Sequence, residues 1–279
     1  MLLLDGHVHL HDCFDPARFL ASAQSNFRSA AAGLGLKSGF TPILMLTESL
    51  GQDKFGWLER LARGVGSGAE AGVPGWSFHP TGEEVSLKAR SGTGPDLILV
   101  AGRQVAATEG LEVLALGTRE VYQDGGLFTE TVEEVLRSGA LAVIPWGFGK
   151  WLGRRGSLVG LVLEEARSRP GLFLGDNGGR ALIRPQPGYL KKALEMGLKV
   201  ISGTDPLPFA SQSDRAGAFG NRIRARISTD RPAGELKTLL LDPATGVQPY
   251  GRLTGPLRFV FLQVAMQVVK RRAPARREG

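Results

Sequence analysis

Cysteine is all but missing from this 279-residue chain. Cys13 stands alone, so no disulfide can form within it, and a reducing, cytoplasmic setting is the expectation. Histidine is nearly as scarce: four occur, at positions 7, 9, 11 and 79, and three of them fall within five residues. Aromatic residues make up only 7% and the basic residues form no single long stripe, which argues against nucleic acid as a partner. Apolar residues nowhere run for the roughly 20 positions a membrane-spanning helix needs, and residues 1–4 meet Asp5 too soon to form a signal peptide. Internal repeats are absent, and only the charged tail after Ala273 is of low complexity.

What is present points to a folded α/β protein with an appetite for anions. A hydrophobic content of 42% over this length fills a sizeable core. The net charge of +7 favours phosphorylated metabolites, nucleic acid or an acidic membrane surface, although Arg222, Arg224, Arg226 and the C-terminal arginines contribute much of it. Apolar runs alternate with helix-like segments, the pattern of parallel βα units. Strands are predicted over residues 2–10, 42–46, 77–80, 84–90, 96–105, 111–116, 141–144, 172–174 and 198–201. Helices are predicted over residues 16–32, around 57–61, and over 128–138, 158–167 and 189–196. Residues 64–75, rich in glycine, read as a loop or mobile lid. An apolar segment from Phe259 to Val269 running into Lys270, Arg271 and Arg272 predicts a final helix, packed on the domain or lying on a membrane surface.

The candidate chemistry sits at strand ends. On a first strand the period of two places His7, His9 and His11 on one face, where neutral imidazoles can share a metal ion. In the loop after residue 144, Lys150, Arg154 and Arg155 are interleaved with glycines ahead of a helix, and Arg180 follows Gly178 and Gly179; together these suit an anionic substrate. Trp146 and Trp151 are candidates for a stacking wall. Of the acidic residues nearby, Asp176 is expected in the site and Glu109 in a structural pair.

In order, the polar groups at the strand ends are His7 and His9, Glu48, Gln104, Glu112, Trp146, Asp176 and Asp205. Asp5-Gly6-His7-Val8-His9 and Gly203-Thr204-Asp205 resemble the opening and closing motifs of the PHP family, the polymerase and histidinol phosphatase domain. The likeness spans residues 2 to about 208, mostly as order and spacing. It implies a distorted (β/α)7-type, TIM-like barrel of the metal-dependent hydrolase kind over residues 1–230. A helical extension over 231–272 and a basic, disordered tail over 273–279 complete the expected organisation.

The family binds two or three metals, but Ser49, Gln104, Trp146 and Leu207 stand where ligands are expected. The resemblance therefore implies a divergent member with one divalent ion (Zn, Mn or Fe) on His7, His9, Asp205 and Glu48. Glu48, Asp205 and Asp176 are the candidate catalytic carboxylates, orienting or deprotonating water. The expected activity is phosphoester hydrolysis of an anionic, phosphorylated small molecule. The alternative is a degenerate binding or regulatory module without metal, touching a membrane peripherally through its last helix.

Overall fold

The computed structural model describes residues 1–65, 72–182 and 186–272, with side chains as far as residue 267. β1 (Leu2–Val8) is buried along its whole length, as a strand covered on both faces must be, and it pairs in parallel with β2 (Thr41–Leu46). Between them runs α1 (Pro16–Gly33). Asp15 caps this helix by accepting the Arg18 amide, Pro16 takes the first turn, and Phe19, Leu20, Ala23 and Phe27 turn the apolar stripe inward. α2 (Lys54–Ala62), capped by Asp53, leads to β3 (Ser77–Pro80) and β4 (Ser86–Arg90), which return antiparallel onto β5 (Leu97–Val100).

The single strand expected over residues 96–105 is two. β5 ends at Val100, whereas β6 (Gly102–Ala106) belongs to another sheet and pairs antiparallel with β7 (Glu112–Leu116). Gly102 permits the switch, because a Cβ there would strike the Leu46 and Ala115 carbonyl oxygens. After α3 (Phe128–Arg137), β8 (Leu141–Pro145) pairs antiparallel with β7. The crossover helices α4 (Gly153–Glu165) and α5 (Gly188–Glu195) then lead to the parallel strands β9 (Leu172–Asn177) and β10 (Val200–Gly203). β11 (Phe219–Ile223) comes back antiparallel to β1, and α6 (Pro232–Leu241), β12 (Val247–Gly251) and α7 (Pro256–Arg272) complete the described chain.

The expected TIM-like barrel is therefore corrected. A seven-stranded sheet in the order β12-β11-β1-β2-β5-β4-β3 and a five-stranded sheet in the order β10-β9-β8-β7-β6 are both mixed, and neither closes. Antiparallel returns at β3–β4–β5, β6–β7–β8 and β11–β12 stand where a closed parallel barrel needs crossover helices. The sheets share one apolar core, where Leu2, Leu4 and Ile43 of the first meet Leu114, Val143 and Ile201 of the second. Residues 231–272 hold two helices, but β12 between them extends the first sheet. No helix among the described residues is long and apolar enough to cross a membrane. The predicted loop over 64–75 lies partly, and the basic tail wholly, outside the described residues.

β1 and β10 belong to different sheets yet lie side by side: a side chain on Gly6 would meet Ile201, and one on Gly203 would meet the His7 backbone. The tie between them is Asp5. Its fully buried carboxylate accepts the Thr204 amide (2.8 Å) and hydroxyl (2.6 Å), the Gly217 amide (2.8 Å) and the His7 amide (3.4 Å). Burial pushes its pKa up to about 6, while those donors pull the other way. Replacing Asp5 with Asn turns an NH2 toward groups that are themselves donors. Urea denaturation of Asp5→Asn at pH 7.5 is expected to show a loss of about 1–3 kcal/mol, and an unchanged midpoint would refute this role.

Candidate metal centre

β1 delivers His7 at its C-terminal end and His9 just beyond it, and the turn after β10 delivers Asp205. A register shift between Asp5 and Val8 in the pairing with β2 re-aims this end of the strand. Asp205 occupies the left-handed region (φ 44°), a conformation a carboxylate residue tolerates at some cost, and its amide donates to the His7 carbonyl at 2.8 Å. The two imidazole Nε2 atoms are 3.0 Å apart, and each is 3.5 Å from Asp205 Oδ1. Donors bound at about 2.05 Å around a tetrahedral ion lie about 3.3 Å from one another. The three side chains, with their ligand atoms within 4.8 Å of one another, thus form a cluster that could hold a metal ion.

The surroundings favour the required protonation states. Burial, reinforced by the neighbouring His7, pulls the His9 pKa down to about 3, so its ring is neutral in ordinary buffers. Burial pushes Asp205 up, but His7, His9, Lys150 and the Asn177 amide outweigh it and leave the carboxyl below its ordinary range. Asn177 Nδ2 donates to Asp205 Oδ2 at 2.5 Å, which leaves Oδ1 facing the imidazoles. Gln104 brings its amide oxygen to 3.2 Å from His7 Nε2, a fourth donor atom at ligand spacing from that nitrogen. His9 Nδ1 is buried without a hydrogen-bond partner, and the ring is held instead by stacking on His11 at 5.2 Å. His11 in turn hydrogen-bonds the Pro206 carbonyl at 2.8 Å through Nε2.

The other expected site residues lie apart from this cluster. Glu48 follows β2, and its carboxylate accepts the Phe55 amide (2.6 Å) and an Arg103 N–H (2.8 Å). One oxygen is thereby taken by the start of α2 and the other by β6, and Glu48 is not part of the His7–His9–Asp205 cluster. Asp176 and Arg180 are buried and satisfy each other through two hydrogen bonds of 3.0 and 2.9 Å. Arg154 is exposed, and Arg155 donates to the Gly149 carbonyl in its own loop. Only Lys150 of the expected cations lines the cavity above the cluster, where it pairs with Glu112. Glu109 accepts the Phe128 amide, a backbone contact where an arginine pair was expected.

That cavity, of about 310 Å³, contains residues the sequence did not single out. Asn177 could have been found, since it neighbours Asp176 on a strand and so faces the opposite way. Arg215 carried no signal. It is largely buried and donates to neutral oxygens, the Thr254 hydroxyl (2.9 Å) and the Gly178 carbonyl (3.0 Å). α7 roofs the cavity with Leu262 and with Phe259, the latter edge-on to Phe148 at 5.3 Å. Its other side presents Leu257, Val260, Phe261 and Val264 to solvent.

No protein-family model matches the chain, and no curated protein matches it in sequence. Its likeness is to solved structures. PsfC from Pseudomonas syringae PB-5123 superposes with a TM-score of 0.55 over 95% of this chain and 98% of that one, at 16% identity. The lesion-specific endonuclease PfuEndoQ from Pyrococcus furiosus gives 0.50 over 88% of this chain at 11% identity, and the match spans 57% of that larger protein. At these identities the likeness is one of fold.

Two measurements follow from the geometry. Glu48→Gln should lower stability by about 1–3 kcal/mol by weakening a largely buried ion pair, and should leave metal content unchanged; a loss of metal would make Glu48 a ligand. In metal-free protein, His9 takes up a proton when unfolded below its ordinary value of 6.5 but refuses it when folded until about pH 3. Stability from this group is therefore present near neutrality and falls as pH drops through that window. The stability difference between wild type and His9→Asn should shrink from pH 7 to pH 4, and a constant difference would contradict the assignment.

Proposed function

We propose that the chain is a metal-dependent hydrolase of the phosphoesterase type, a divergent relative of the PHP hydrolases, acting on an anionic, phosphorylated small molecule. The observation that carries this reading is the convergence of His7 Nε2, His9 Nε2 and Asp205 Oδ1 on one point at the floor of a cavity. His7, His9 and Asp205 would hold a divalent ion, zinc, manganese or iron, which would supply Lewis acidity to an ester and acidify a water. The donor set of two imidazoles and one carboxylate leaves room for substrate and water, as a catalytic site requires.

The chain's own residues supply the rest. Arg215 puts positive charge on the wall, where it neutralises and orients a phosphate, and Lys150 stands nearby paired with Glu112. Asn177 clamps the distal oxygen of Asp205, so that the proximal one stays aimed. α7 narrows access and keeps bulk water away from the reacting atoms. The fold shared with a lesion-specific endonuclease is a precedent of architecture only, and the small roofed cavity favours a small molecule over a polymer.

A second reading, a binding or regulatory module without turnover, draws support from the residues around the cluster. Trp146 and Leu207 line the cavity and offer no donor for a second metal. One experiment separates the two. Protein purified without chelator should carry about one divalent ion per chain, and His7→Ala, His9→Ala and Asp205→Ala should each lose it along with hydrolysis of a phosphomonoester panel. Metal-free wild-type protein with no turnover after reconstitution would leave the binding module standing; equal metal in wild type and His9→Ala would place the ion elsewhere.

A further inference from the structure

Beside the metal cavity lies a second, larger one of about 750 Å³ that the proposed hydrolysis does not use. Its walls are Trp146, Phe148, Trp151, Leu152, Pro187 and Tyr189. Trp146, Gly147 and Phe148 line both cavities, so the two meet along one short stretch of backbone after β8. The volume lies within the usual 300–1,000 Å³ of a small-molecule pocket, and the aromatic lining suits the face and edges of a flat ring system.

Two further facts define the guest. The Trp151 ring is buried and held edge-on against Tyr189 at 6.2 Å, so the aromatic wall is fixed in place. The cations beside this chamber are already matched, Arg180 to Asp176 and Lys192 to Glu164. An anionic group therefore gains nothing here and is drawn instead to the neighbouring cavity, where Arg215 donates to the neutral Thr254 hydroxyl and Gly178 carbonyl.

We infer that the chamber seats an aromatic body whose attached phosphate reaches the His7–His9–Asp205 cluster, which makes the substrate an aryl-bearing phosphoester. This deepens the phosphoesterase reading and rests on it. A non-hydrolysable probe avoids turnover: methoxynaphthylmethylphosphonate, compared with ethylphosphonate and with methoxynaphthalene by calorimetry on the zinc-loaded protein. The aryl phosphonate should bind at least about tenfold more tightly than either fragment.

Gly188 lines the chamber, and a Cβ built on it meets open space, so Gly188→Leu fills the chamber without a clash. Leu152→Trp fills it from the N-cap of α4. Each should erase the aryl preference while leaving ethylphosphonate binding unchanged. Equal affinity for aryl and ethyl phosphonates would overturn the chamber and spare the metal site. Binding of methoxynaphthalene alone, with neither phosphonate gaining from zinc, would overturn both the joint seating and the phosphoesterase reading.

Discussion

One buried carboxylate holds this molecule's two halves in register. Asp5 collects three amide hydrogens and a hydroxyl in a place where water cannot reach it, and its partners belong to β1, to the turn after β10 and to the approach to β11. No backbone ladder joins β1 to β10, because they belong to different sheets. The glycines at 6 and 203 let the strands approach, and Asp5 supplies the attraction that a ladder would otherwise give. His7 and Asp205 are then neighbours by construction, since the same backbone carries the tie and the cluster.

The distribution of charge around that tie is an exercise in pairing. Two carboxylates, Glu48 and Asp176, are engaged by arginines that lie close in space, and their negative charge is spent on holding loops in place. Asp205 faces imidazoles instead, and Lys150 and Arg215 stand nearby. A carboxylate oxygen aimed at two imidazole nitrogens is a cation's environment. The cations around it make the remainder of the cavity an anion's environment, which is the polarity a metal-assisted phosphoester hydrolysis needs.

α7 joins the two themes. It packs Phe259 and Leu262 over the cavity and leaves an apolar stripe on its far side, so it is anchored by the site it covers. The run from Phe259 onward was legible as a helix from its composition, but its place above His9 and Asp205 was not. Many of the predicted strands and helices are found close to where periodicity put them, because burial on one or both faces leaves a direct mark on residue order. The barrel was not found. Parallel and antiparallel strands carry similar apolar runs when both faces are covered, and the split at Ala101 and Gly102, which sends one predicted strand into two sheets, leaves no mark in hydrophobicity.

By itself the sequence determined that histidines 7 and 9 would emerge together at the end of a buried first strand, because alternation along an extended backbone is a local property. It also singled out Asp205 as their carboxylate partner, through a resemblance of motifs. Tertiary structure alone decided which charges remain available. Glu48 meets Arg103 across 55 residues, and Asn177 meets Asp205 across 28. An ion pair or hydrogen bond depends on distance through space, which no spacing along the chain encodes.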